Sequence, residues 1–119
     1  MILGIDVSTS ITGFAVIGEG QIVYYDSVDL RKEKDTFLKA EMIKEKLTDI
    51  FEAYQCGNED VFIGIPEFPI SHIYIEQPFT FFNSGGSSAK TMAKLQMFNG
   101  IVSWMAYEMF EIKPEYVTA

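Results

Sequence analysis

The chain has one cysteine, Cys56, and one histidine, His72. A lone cysteine closes no internal disulfide, which points to a reducing, cytoplasmic setting. The same count excludes zinc held by several thiolates. No apolar run approaches the roughly 20 residues that span a bilayer, so no membrane association is expected. The N-terminus lacks the basic region and unbroken apolar segment of a secretory signal, because Asp6 interrupts it. Basic residues are also scarce, with nine Lys and Arg against 17 Asp and Glu and a net charge of −8. Nucleic-acid-binding domains usually carry a basic footprint, so a uniformly basic surface is excluded. The imbalance is local, however. Residues 68–109 hold two lysines, Lys90 and Lys94, against two glutamates, Glu76 and Glu108. The acidic excess lies mainly in residues 26–67 and at the C-terminal end, which leaves room for a near-neutral working face and an acidic back.

What the chain does have is apolar and aromatic content: 48% hydrophobic residues, among them 10 Phe and 6 Tyr. That composition argues against disorder. At 119 residues the chain forms at most one domain, with roughly two thirds of its unfolded surface buried. Residues 1–30 read as a three-stranded meander. The first strand is about residues 2–6, the second about 13–18 and the third about 21–28, with Gly18-Glu19-Gly20 as a tight turn. A charged link at residues 31–35 follows. Residues 35–54 are helical, since Ala40, Ile43, Leu47, Ile50 and Tyr54 fall on one stripe, and Gly57 or Asn58 suits the left-handed cap. Residues 59–71, with Pro66 and Pro69, read as an insertion. A short strand, Ile73 to Glu76, stops at Pro78. A loop with Phe79, Phe81, Phe82 and a Gly/Ser run leads to a long helix over about 88–110, with Ser87 as its N-cap. A further strand opens at Tyr116 after Pro114.

Two short buried strands therefore each end in a carboxylate, Asp6 and Glu76. The helix between them suits a right-handed crossover between parallel neighbours. Both acids then emerge at the C-terminal edge of the sheet, where open α/β sheets bind ligands. Paired carboxylates repel unless a cation or a shared proton compensates. Hard oxygen donors favour Mg²⁺ or Mn²⁺, and such a site suits phosphoryl chemistry. The plain reading is that each acid simply begins a turn. Ser8, Thr9, Ser10 and Thr12 likewise either satisfy their own backbone or reach a phosphate. Lys90 and Lys94 lie one turn apart near a helix N-terminus, an end that favours phosphate; the alternative is a solvated face. Phe79, Phe81 and Phe82 form either a base-stacking surface or part of the core. His72 reads as an edge histidine.

Gly4-Ile5-Asp6-x-Ser8-x-Ser10-x-Thr12-Gly13-Phe14-Ala15-Val16-Ile17 resembles the opening of RuvC-type Holliday-junction resolvases. Ile75-Glu76-Gln77-Pro78-Phe79, with the following Gly/Ser loop and helix, resembles that family's second block. The similarity covers about residues 1–20 and 73–119. It implies a ribonuclease-H-like α/β fold: a mixed five-stranded sheet in the order 3-2-1-4-5 with flanking helices. It further implies a homodimer and a Mg²⁺-dependent (or Mn²⁺-dependent) endodeoxyribonuclease that cuts branched DNA. By motif, Asp6 and Glu76 become catalytic metal ligands, and Phe79 matches an aromatic that meets bases near the junction. The family completes its site with acids on a helix after the last strand. Asp26, Asp29, Glu67 and Glu111 stand in the wrong context to replace them. The chain is thus expected to be a single domain lacking its C-terminal helix, with little or no activity by itself.

Two other classes compete. Actin-like and sugar-kinase domains also open on Gly-Ile-Asp and a Ser/Thr turn for nucleotide phosphates, but that reading gives Ile75-Glu76-Gln77-Pro78 no task. The third reading is a non-catalytic DNA-binding or dimerisation module of the same fold. The long helix bears on it. Leu95, Phe98, Val102, Met105 and Met109 form one apolar stripe, and Met97, Ile101 and Trp104 form another. One stripe packs on the sheet, so the second is expected to meet another chain in a two-fold pair.

Overall fold

The computed structural model describes residues 1–56, 69–77 and 88–118. Phe79, Phe81, Phe82, Pro78, the Ser87 cap, Gly57, Asn58 and all but residues 69–71 of the expected insertion lie outside the described residues. Five strands form one sheet: β1 (Ile2–Asp6), β2 (Ile11–Gly18), β3 (Gln21–Asp29), β4 (His72–Glu76) and β5 (Glu115–Val117). Their order is β3-β2-β1-β4-β5, with β1–β4 and β4–β5 parallel and the other pairs antiparallel. This is the expected ribonuclease-H-like order. Two helices, α1 (Thr36–Phe51) and α2 (Ser88–Phe110), cover one face.

The meander forms because its turn matches the twist of its strands. Glu19 and Gly20 are the two-residue link from β2 to β3, and both have positive φ, 54° and 75°. Such a link continues the right-handed twist of a hairpin. Alternation then sorts the side chains. Leu3, Ile5, Phe14, Val16, Ile73 and Ile75 are buried on the covered face. Gly4, Gly13, Ala15 and Tyr74 fall on the other.

Helix α1 starts at an aspartate cap. The Asp35 carboxylate accepts from the N–H groups of Phe37 (2.8 Å) and Leu38 (3.0 Å), satisfying two of the donors that a helix start leaves free. Ala40, Ile43, Leu47 and Ile50 are buried on the anticipated stripe. The α-helical pattern stops at Phe51, and Glu52–Cys56 follows as a π-helical turn, so regular helix ends sooner than the periodicity indicates. Gln55 in this turn binds both backbone groups of Ile70, at 2.7 and 3.1 Å, which ties the helix end to the entry of β4.

In α2 the buried stripe differs from the expected one. Phe98 and Val102 are buried as anticipated, but Asn99, Ser103, Ala106 and Phe110 join them. Leu95, Met105 and Met109 are only half-buried. The helix is rotated so that Asn99, Ser103, Ala106 and Phe110 join Phe98 and Val102 in the core, with Met105 and Met109 packed at its margin. Phe110 packs edge-on against Phe51, with ring centroids 5.3 Å apart. Met97 and Trp104 are left 52% and 62% exposed. No helix among the described residues is long and apolar enough to cross a membrane.

Glu19 occupies a left-handed conformation that Asn adopts more readily than Glu. Glu19→Asn is therefore expected to raise the stability of the chain by about 0.5–1 kcal/mol, as measured by urea unfolding.

Candidate active site

The site is built by strand register. In the parallel pair, Ile2 lies opposite His72, Leu3 opposite Ile73, Gly4 opposite Tyr74 and Ile5 opposite Ile75. One step further along both strands brings Asp6 and Glu76 side by side at the C-terminal edge. Both are even-numbered partners of the buried Ile5 and Ile75 positions, so both project from the face that the helices leave uncovered. Across the other ladder Asp6 faces Gly13, whose missing side chain leaves the Asp6 carboxylate uncrowded.

The two acids interact directly. The Asp6 carboxyl lies within hydrogen-bonding reach of Glu76 and raises its pKa above the usual carboxylate value; charge repulsion and partial burial act in the same direction. The Glu76 carboxyl thus keeps its proton more readily than a free one, the effect of a like charge held close. Gly4, Gly13 and Ala15 floor a depression of about 400 Å³ that Asp6, Glu76, Tyr25, Asp26, Tyr74 and Val117 border. Tyr25 stands 80% exposed at its rim.

The turn after Asp6 is tied on several sides. The Thr12 hydroxyl is fully buried and donates to the Ser8 carbonyl at 2.7 Å, while the Ser8 N–H donates back to that hydroxyl at 3.2 Å. The Ser8 side chain accepts from the Ser10 N–H at 3.1 Å. Leu30 N–H donates to the Ser10 carbonyl at 2.7 Å, and Lys39 of α1 reaches the Thr9 carbonyl at 2.7 Å. The hydroxyls of Ser8 and Thr12 thus serve their own turn, and the Ser8 hydroxyl keeps a proton to donate elsewhere.

Lys90 and Lys94 are exposed on the first turns of α2. Asn99 of the same helix bonds the Glu76 carbonyl at 3.2 Å, which sets the level of the helix against the sheet. At 1.5 Å per residue, Lys94 and Lys90 lie about 7 and 14 Å beyond that level. The start of α2 therefore overhangs the edge that carries the acids. Phe79 lies outside the described residues. Met97 and Trp104 occupy the outer face of α2, whereas Ile101 is half-buried and packs partly on the core. His72 opens β4 at the opposite edge, its ring stacked on Tyr74 at 6.3 Å and its Nδ1 2.9 Å from the Ser71 hydroxyl.

Among the described residues no third His, Cys, Asp or Glu joins Asp6 and Glu76 as a possible metal ligand. Asp26 borders the depression, but Lys46 binds its carboxylate at 2.6 Å and holds its pKa below the usual range. The donor set nonetheless fits a hard divalent ion. Two carboxylates supply oxygen and negative charge, and Mg²⁺ commonly takes one or two carboxylates and completes its shell with water and phosphate. Sequence reasoning missed Asn99, Tyr25 and Tyr74. The period-two alternation of β3 and β4 was the signal that could have put both tyrosines on the face of the acids.

Similarity to known proteins rests on structure alone: no protein-family model and no curated protein matches the sequence. Among solved structures, Thermus thermophilus RuvC in complex with a Holliday junction substrate superposes with a TM-score of 0.62 at 13% identity. It is matched over 98% of this chain and 63% of its own. A second Thermus thermophilus RuvC structure gives a TM-score of 0.60 at 14% identity over the same shares. The chain has the fold of these proteins and spans less than two thirds of their length.

The acid pair makes a signed prediction. A raised carboxyl pKa means that the folded chain holds a proton the unfolded chain gives up more easily. Its stability contribution is full below the ordinary carboxylate pKa and lost as pH rises through the folded value. Asp6→Asn should therefore raise the melting temperature at neutral pH and leave it nearly unchanged below about pH 4. It should also return Glu76 toward the usual carboxylate range when followed by carbon-13 NMR.

Proposed function

We propose that this chain is the nuclease domain of a Holliday-junction-resolvase-like endonuclease, hydrolysing phosphodiester bonds in branched DNA. The single observation that carries the reading is the Asp6–Glu76 pair at the C-terminal edge of adjacent parallel strands. The likeness of fold to a RuvC structure bound to a Holliday junction adds support. Asp6 and Glu76 would hold Mg²⁺ or Mn²⁺, and the bound ion would supply charge stabilisation at the phosphate. The rest falls to the chain. The two carboxylates orient the site and carry its negative charge. Gly4, Gly13 and Ala15 let a backbone phosphate approach the sheet. The Ser8 hydroxyl donates its remaining proton to a phosphate oxygen, and Lys90 and Lys94 offer charge to the flanking strand. Phe79 would meet a base next to the junction.

The exposed Met97 and Trp104 favour a homodimer through the outer face of α2. Two-fold pairing would present two sites to the two-fold symmetry of a four-way junction. Ile101 belongs to both the core and this face, so Trp104 is the cleaner probe. Trp104→Glu should convert the dimer to a monomer in sedimentation while leaving the melting temperature of the monomer nearly unchanged. A parent chain that is monomeric at high micromolar concentration would refute the pairing.

The decisive measurement is an assay on an immobile four-way junction with Mn²⁺, with linear duplex as the competitor. Preferential junction binding and cleavage that requires metal are the expected results. With two carboxylate ligands the chain should cut slowly at best. Asp6→Asn and Glu76→Gln should each lower that rate by about 100-fold or more, since even partners that only orient a metal ligand cost 10–100-fold. Junction affinity should stay near that of the parent. Stabilisation by ATP with no preference for branched DNA would favour the nucleotide-binding reading instead.

A further inference from the structure

Among the described residues of α2, the buried side chains are apolar except for Asn99 and Ser103. Asn99 and Ser103 are only 5% and 6% exposed. For packing alone an apolar side chain would serve better, because a buried amide gains nothing unless its donors and acceptor are matched. Here they are. Asn99 Nδ2 donates to the Glu76 carbonyl at 3.2 Å. The Ser103 hydroxyl lies 3.2 Å from Asn99 Oδ1 and donates to the Asn99 carbonyl at 2.7 Å.

The carbonyl that Asn99 binds belongs to the residue that carries the acid. The described rungs between β1 and β4 end at Ile5 and Ile75, one residue short of Asp6 and Glu76. On the other side, Glu76 pairs with Val117, and Gln77 N–H donates to the Val117 carbonyl at 2.7 Å. The end of β4 is thus bound to β5, while the last register pair with β1 is Ile5 with Ile75. Meanwhile the Asp6 carboxylate repels that of Glu76. An amide from the buried side of the sheet supplies a bond to the last residue of β4, one step past that pair.

We propose that Asn99, oriented by Ser103, is a positioning residue that fixes the end of β4 and so the spacing of the Asp6 and Glu76 carboxylates. This rests on the reading of the acid pair as the metal-binding site. Asn99 touches neither substrate nor metal and acts through the Glu76 backbone. Leucine has nearly the shape of asparagine but cannot donate, so Asn99→Leu removes the bond and keeps the packing. Val102→Ala, on the same buried stripe, weakens packing and keeps the bond.

Two measurements on the whole chain decide the matter: Mn²⁺ affinity by isothermal titration, and amide hydrogen exchange along β4. Asn99→Leu should weaken Mn²⁺ binding about 10-fold or more and speed exchange at the Gln77 amide, with the Ile73 amide unchanged. Val102→Ala should lower the melting temperature without weakening Mn²⁺ binding. If Asn99→Leu fails to fold, Ser103→Ala should give the same local pattern with a smaller loss. Parental Mn²⁺ affinity and exchange in Asn99→Leu would overturn the proposal, as would an equal affinity loss in Val102→Ala. If the parent chain binds no Mn²⁺, the functional reading fails by itself. The exchange data still decide the inference: a loss confined to the end of β4 supports it, and a uniform change or none overturns it.

Discussion

The register between β1 and β4 is the constraint on which the rest of the molecule depends. Side chains alternate across a strand, so a slip of one residue would turn Glu76 toward the helices and leave Asp6 alone. Nothing about the acids themselves favours their meeting, since their charges repel. The register is held instead by Leu3, Ile5, Ile73 and Ile75, each almost wholly buried against α1 and α2. Full burial of an aliphatic side chain is worth about 1.5–3 kcal/mol, and a slipped register would give up several such terms together. The hydrophobic core therefore holds an unfavourable charge pair in place.

Much of this arrangement was legible in the residues. Strand ends at Asp6 and Glu76, a helix-length connection between them and the right-handed crossover rule sufficed for the parallel neighbours, and the family resemblance supplied the full sheet order. The turn at Gly18-Glu19-Gly20 was visible because those residues have local reasons to be there, whereas the Asp35 cap emerged only with the structure. The rotation of α2 was not visible. Hydrophobic periodicity weights Leu95, Met105 and Met109 by size and assigns Asn99 and Ser103 to the solvent side, whereas hydrogen bonding to a strand end across the fold makes burial of the polar pair favourable. The early end of regular helix in α1 escaped for a similar reason. Glu52–Cys56 has helical composition, and its looser winding reflects the tertiary bond from Gln55 to Ile70.

Helix α2 serves three neighbourhoods along its length. Its last turns close the core through Phe110 against Phe51. Its middle carries the buried amide beneath β4 and, on the opposite side, the exposed Met97 and Trp104. Its first turns run past the sheet edge with Lys90 and Lys94 in solvent. In an acidic molecule these are among the few cations near the carboxylate edge.

The turn between β1 and β2 has a consequence for rates. Its carbonyls and amides are already matched: Ser8 with Thr12 in both directions, Ser10 with Leu30, and Thr9 with Lys39. Ordering a backbone residue costs roughly 1–2 kcal/mol of entropy, and for these residues that cost falls in folding rather than in association. A ligand arriving beside Asp6 would meet a β1–β2 turn already in its final shape, with no ordering of that turn left to slow its capture.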